Sequence, residues 1–166
     1  LLSLINEILD LSKIEAQKVE MQVGPVSLDA LVRETIAQQE GLVRERPVQL
    51  LAVVPAKVAT LQTDADKLRQ IIINLIGNAL KFTEKGKVEI HCRLINKTEN
   101  EVDVEFEILD TGIGIPEDKI EKVFESFAQA STDTTRKYGG TGLGLSISRE
   151  LVRMMVNFSA SSSVRR

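Results

Sequence analysis

The residues best equipped for chemistry lie on one predicted helix. Across KLRQIIINLIGNALKFT, residues 67–83, Gln70, Asn74, Asn78 and Lys81 recur three or four positions apart. That spacing brings side chains onto one helical stripe. An amide oxygen is a hard ligand suited to Mg²⁺, and a lysine ammonium is a point charge suited to phosphate. Together they would suit a metal–polyphosphate, although the same residues could also solvate the outer face of a surface helix. Two glycine-bearing segments follow. DTGIGIP, residues 110–116, sets Asp110 at a strand end before Gly112 and Gly114, so the backbone turns sharply and can approach a ligand closely. Asp110 could accept a hydrogen bond from an exocyclic amine; a plain strand-to-helix turn is the alternative. GGTGLGLSIS, residues 139–148, puts four glycines ahead of an amphipathic helix. Free N–H groups at that helix start would favour phosphate. The segment lacks the GKS/T ending of a P-loop and follows no strand of a βαβ unit, so neither of those readings is supported.

These groups need elements to hold them. Leu68, Ile71, Ile72, Leu75, Ile76, Ala79 and Leu80 form the core stripe of the central helix. Upstream, residues 1–22 place Leu1, Leu4, Ile5, Ile8, Leu11 and Ile14 at helical spacing, with a stop predicted before Gly24-Pro25. This lone stripe reads as the end of a coiled-coil or helical-bundle stalk. Ser27 is a predicted N-cap, with Asp29 in the first turn of a helix running to about Glu45 and ended by Pro47. A strand is expected at 48–54 and a short one around Leu61, before Asp64 or Asp66 caps the central helix. Residues 87–95 and 102–109 alternate apolar and polar positions and predict an antiparallel hairpin, with His91 on its polar side. A short helix is expected at 117–127, with Ile120, Val123, Phe124 and Phe127 on one side. Residues 128–138 have no periodicity and read as a lid closed by Arg136, Lys137 and Tyr138. The helix after the glycines carries Leu145, Ile147, Leu151, Val152 and Met155.

Composition narrows the class. A chain of 166 residues with 43% hydrophobic content suffices for one domain with a proper core. A net charge of −3 and 4% aromatic residues argue against a nucleic-acid binder. One cysteine, Cys92, excludes an internal disulfide and any multi-cysteine zinc site. No apolar run reaches membrane-spanning length and no signal-peptide pattern is present, so a soluble chain is expected. It begins without methionine inside a helical pattern, which reads as a fragment of something longer.

Four blocks in order, NLIGNALKF, DTGIGIP, VFESFAQ and GGTGLGLSIS, resemble the ATP-binding catalytic domain of sensor histidine kinases. ILDLSKIEA resembles the tail of the second helix of the dimerisation and phosphotransfer domain that precedes it. The resemblance spans about residues 1–155. It implies an α+β fold, a two-layer α/β sandwich whose mixed sheet carries helices on one face, preceded by a stalk helix. The implied divisions are a stalk end at 1–22, an ATP-binding domain at 23–156 and an atypical or disordered tail at 157–166. Carried over by position, Asn78 would ligate Mg²⁺, while Asn74 and Lys81 would contact phosphates and serve catalysis. Phe82 would lie by the adenine and Asp110 would accept from its amino group. Gly112, Gly114 and Ile115 would shape that pocket. Gly140, Thr141, Gly142, Leu143 and Gly144 would form the phosphate cradle, and Arg136, Lys137 and Tyr138 are implied lid contacts.

The resemblance also bears on reaction type. Related ATPases, such as type II topoisomerases and mismatch-repair proteins, carry a water-activating glutamate four positions before the metal-binding asparagine. Here that position is Asn74, and an amide cannot take a proton at neutral pH. The expected reaction is phosphoryl transfer from ATP to a histidine on the stalk, with a response regulator downstream, a homodimeric parent and a cytoplasmic catalytic portion. The alternatives are a nucleotide-sensing module that never transfers, a chaperone-like or topoisomerase-like ATPase, and a purely structural interaction protein. Two features depart from the family pattern. The stalk histidine is absent, so no autophosphorylation is expected in isolation, and VNFSASSSVRR after Met155 does not resemble the family's closing glycine pair and strands.

Overall fold

A computed structural model describes residues 2–16, 18–54, 60–98, 102–126 and 141–163, with the side chains of 2–4 and 157–163 left aside. In order the elements are α1 (Leu2–Glu15), β1 (Gly24–Ser27), α2 (Leu28–Gln39), β2 (Val48–Val53), β3 (Thr60–Thr63), α3 (Ala65–Phe82), β4 (Gly86–Lys97), β5 (Val102–Asp110) and α4 (Gly144–Ser163). β2 runs parallel to β4, and β4 pairs antiparallel with β5. β1 and β3 form a separate antiparallel ribbon.

Alternation along β4 sends Val88, Ile90 and Cys92 into the core, where α2 contributes Leu28, Val32 and Ile36 and α3 contributes Leu68, Ile72, Ile76 and Leu80. Burial of each such aliphatic side chain is worth roughly 1.5–3 kcal/mol. The opposite sheet face carries charge instead: Arg93 lies 2.8 Å from Glu107 and 3.7 Å from Glu105, and Lys87 lies 3.1 Å from Glu89. One face covered by helices and one face open, charged but with Leu51, Val53 and Leu109 exposed on it, make the mixed-sheet, two-layer sandwich that the resemblance implied. His91 is on the polar face as expected, about 4 Å from Glu89 (3.8 Å).

α3 is fixed at both ends. Asp64 is its N-cap, with Oδ1 accepting from Asp66 N at 3.1 Å and Lys67 N at 3.0 Å, while Oδ2 accepts from Gln22 N at 2.8 Å. Three backbone donors thus satisfy a carboxylate that is only 3% exposed. At the other end the Arg46 guanidinium donates to Leu80 O at 2.9 Å and Thr83 O at 2.6 Å, a cation where the helix dipole favours one.

A second apolar cluster joins α1 to the body: Ile14 meets Ile71, Leu143, Ile147 and Leu151, with Leu11 and Val19 alongside. Ile5, Ile8 and Leu9 remain 46%, 42% and 51% exposed. Part of the α1 stripe is therefore buried within this chain and part is uncovered. No described helix is long and apolar enough to cross a membrane.

Four elements differ from expectation. α1 ends at Glu15, short of Gln22, and from Lys18 onward the chain leaves the helix so that Val19 packs and Gln22 reaches Asp64. α2 ends at Gln39 and gives way to a 3₁₀ turn, Glu40–Leu42, where Gly41 weakens the helix and Leu42 is left exposed. The helix expected at 117–127 is two 3₁₀ turns, Glu117–Lys119 and Lys122–Phe124. Ile120 and Phe124 are exposed there, so no buried stripe supports a longer helix, and Phe127 lies outside the described residues. α4 continues to Ser163, and Val152, expected on its core side, is exposed, while Leu143 just ahead of it is fully buried.

Candidate functional site

Asn74, Asn78 and Lys81 are half-buried along one side of α3. A rise of roughly 1.5 Å per residue sets the Asn74 and Lys81 backbones about 10 Å apart along the helix. Gln70, the fourth member of the stripe, is committed elsewhere: its Nε2 donates to Asp10 Oδ2 of α1 at 2.9 Å.

Beside Asn74, midway along α3, stands the glycine segment. Asn74 Nδ2 donates to Gly144 O at 3.3 Å and to Ser148 Oγ at 3.2 Å, which ties α3 to the first turn of α4. Gly142 has φ +73°, the left-handed region that glycine enters without strain. Leu143 is buried in the second cluster and anchors the loop. Thr141 Oγ1 accepts from Leu143 N at 3.2 Å and donates to Glu7 of α1. Arg136, Lys137, Tyr138 and Gly140 lie outside the described residues.

At the Lys81 end stands the DTGIGIP turn. Gly112 N donates to Asp110 Oδ1 at 2.8 Å and Ile113 N donates to Phe82 O at 3.2 Å. A Cβ on Gly112 would stand 2.5 Å from Phe82 O, so only glycine lets the turn lie against the end of α3. Gly114, at φ +70°, has open space where a side chain would be. Asp110 and Ile115 are exposed there. The Lys81 ammonium lies 4.8 Å from the centre of the Phe82 ring. Partial burial holds it below the ordinary lysine range.

The structure thus brings the chemistry-bearing residues to two places along one helix, the start of α4 at its middle and an acid-bearing turn at its C-terminal end. Two partners were not foreseen from sequence. Thr111 Oγ1 accepts from Lys87 N at 3.0 Å and holds the turn to β4; a hydroxyl between Asp110 and Gly112 was the available signal. Glu7 gave no signal, since its partner is 134 residues away.

Volume is a poor guide here. A hollow of about 470 Å³ lies by Arg46, Pro47 and Lys85, and one of about 240 Å³ lies between α1 and α3, near Lys13, Lys67 and Leu151. Neither is lined by Asn74, Asn78, Lys81 or Asp110. The larger is an open groove without a carboxylate, whereas the C-terminal half of α3 combines charge, amides and tight glycine turns. Among the described residues no group of three His, Cys, Asp or Glu side chains could cage a metal ion. A divalent cation here would rest on an amide oxygen such as that of Asn78, completed by waters and phosphates, the arrangement that suits Mg²⁺.

The architecture is a mixed sheet backed by helices, with a polar helix face reached by two glycine turns. The chain belongs to the histidine kinase-, DNA gyrase B- and HSP90-like ATPase family, whose model matches residues 63–166. Among its relatives is hybrid signal transduction histidine kinase L of Dictyostelium discoideum, 39% identical over 158 residues. That match takes in 95% of this chain and 9% of the relative. Circadian input-output histidine kinase CikA of Synechococcus elongatus is 41% identical over 156 residues, 93% of this chain and 20% of that protein. The chain therefore spans a fifth or less of these relatives' length. Of solved structures, full-length ShkA in complex with AMPPNP superposes with a TM-score of 0.77 at 32% identity, over 92% of this chain and 30% of that one. The nucleotide-free catalytic domain of histidine kinase ThkA gives a TM-score of 0.64 at 29% identity, over 81% and 82%.

Proposed function

We propose that the chain is the ATP-binding catalytic portion of a two-component sensor histidine kinase. The observation that carries the reading is the pairing of the α3 amide stripe with two glycine segments, Gly144 beside Asn74 at mid-helix and Gly112 against Phe82 at the C-terminal end. Kinship with histidine kinases and with a solved relative bound to an ATP analogue supports the same assignment.

On this reading ATP lies along α3. Asp110 accepts from the adenine amino group, with Phe82, Gly112, Gly114 and Ile115 about the ring. Lys81 faces the phosphates; Thr141, Gly142, Leu143 and Gly144 form the cradle about them, and Gly140, Arg136, Lys137 and Tyr138 close over them. Mg²⁺ held by Asn78 would neutralise phosphate charge. The acceptor is a histidine of a separate phosphotransfer domain: its ring nitrogen lone pair forms the bond to the γ-phosphorus. The bond from that phosphorus to the β–γ bridging oxygen breaks, and ADP leaves. Asn74 cannot draw a proton from water, so positioned ATP waits for that nucleophile. Its Nδ2 steadies α4, which sets the loop for transfer by positioning and charge. A response regulator would take the phosphoryl group next. The parent would be a homodimer through α1, with this portion on the cytoplasmic, ATP-supplied side.

Two measurements test the proposal. Mg-ATP at a hundred times its dissociation constant should stabilise the chain by about 2.7 kcal/mol, read as a rise in Tm. Mixed with a histidine-bearing phosphotransfer domain and labelled ATP, the chain should yield an acid-labile phosphoprotein. Binding without transfer would establish a nucleotide sensor instead, and no thermal shift at millimolar nucleotide would reject both readings.

A further inference from the structure

We propose that Glu7 of α1 is a built-in competitor for nucleotide phosphate, so that seating of α1 and binding of a nucleoside triphosphate oppose each other; this rests on the nucleotide reading above. Thr141 Oγ1 accepts from Leu143 N and donates to the Glu7 carboxylate. A negative charge therefore stands one hydroxyl away from the start of α4. Backbone N–H groups and the helix dipole favour an anion at that place. Glu7 supplies one from within the chain.

The contact belongs to the seat of the whole helix. Glu7, Asp10 and Ile14 fall at helical spacing on one side of α1. Asp10 accepts from Gln70 of α3 at 2.9 Å, and Ile14 packs on Leu143, Ile147 and Leu151. Two hydrogen bonds and an apolar plug thus fasten α1 across the glycine segment and the amide stripe. A triphosphate entering this segment meets a like charge and competes for the Thr141 hydroxyl. Linkage makes the effect reciprocal: whatever factor the seated α1 removes from triphosphate affinity, the bound triphosphate removes from α1 seating. Stalk and nucleotide would thereby exchange information without a lid.

Glu7→Gln tests this, since it removes the charge and keeps a hydrogen-bonding group at Thr141. Titration calorimetry with Mg-ATP should show binding tightened on the order of threefold to tenfold, as for one screened unit charge nearby. Hydrogen exchange should show faster amide exchange at residues 10–15 when Mg-ATP is added to the unaltered chain. Ile14→Ala, which loosens the seat without touching the carboxylate, should tighten Mg-ATP binding in the same direction. Equal affinities in all three proteins, with α1 protection unmoved by Mg-ATP, would overturn the competition and leave the nucleotide reading standing. Failure of every form to bind Mg-ATP would remove the nucleotide reading, and this inference with it.

Discussion

Asp110 and Lys81 carry the clearest residue-scale consequences. Asp110→Asn keeps the shape of the turn yet replaces an acceptor-only carboxylate with an amide that must also present donors. A hydrogen bond to a charged group is worth about 1.5–3 kcal/mol, so ATP affinity should fall roughly tenfold to a hundredfold. Calorimetry against the unaltered chain measures this, and unchanged affinity would remove Asp110 from adenine recognition. Lys81 adds a pH dependence. Burial lowers its pKa below the ordinary lysine value, and phosphate attracts only the protonated form. ATP binding should therefore weaken as pH rises through that lowered pKa, earlier than an exposed lysine would allow. Lys81→Arg, which stays cationic, should flatten the alkaline decline. A decline identical in both proteins would place the titrating group elsewhere. Both residues were legible in the chain, Asp110 from its place before glycines and Lys81 from the helical stripe. The commitment of Gln70 to Asp10 and of Asn74 to α4 was not, because a stripe shows which side a residue faces and not what stands opposite.

At the scale of elements, α3 depends on the cap that joins it to the chain before β1. Asp64→Ala removes the acceptor for Asp66 N and Lys67 N and deprives Gln22 N of its partner. Loss of an N-cap costs about 0.5–2 kcal/mol, and a stranded buried donor adds about 1–3 kcal/mol. Urea unfolding should show the midpoint lowered accordingly. A change below about 0.5 kcal/mol would mean that water replaces the carboxylate without loss. Cys92, on the core side of β4 and 1% exposed, has its thiol pKa raised by burial. Alkylation should stay slow in the folded chain and accelerate only with unfolding, which mass spectrometry across a urea series would follow. Period-two alternation placed Cys92 correctly. Helix ends were harder: α1 and α2 both stop before the sequence reading expected, one for the Val19 and Gln22 contacts and the other at Gly41.

Across the whole molecule, the uncovered part of α1 and its seated part have different tasks. Ile5, Ile8 and Leu9 keep substantial exposure, which suits the proposed homodimer of the parent protein. Sedimentation should show self-association that rises with concentration and falls when Ile8 and Leu9 are changed to serine. A strictly monomeric chain up to millimolar concentration would assign that stripe another partner. The sandwich class came through the resemblance carried by four motif blocks, and by itself the sequence determined the hairpin, the capped central helix and the two glycine turns. Each rests on periodicity or on backbone freedom, properties carried by residues close together along the chain. Only the tertiary structure decided that Asn74 binds the first turn of α4, that Thr111 locks the DTGIGIP turn to β4, and that Glu7 reaches Thr141. Those contacts join residues far apart in sequence: the first and last exist because packing Ile14, Ile71, Leu143 and Ile147 into one cluster sets three helices side by side, and the Thr111 contact follows from the pairing of β4 with β5.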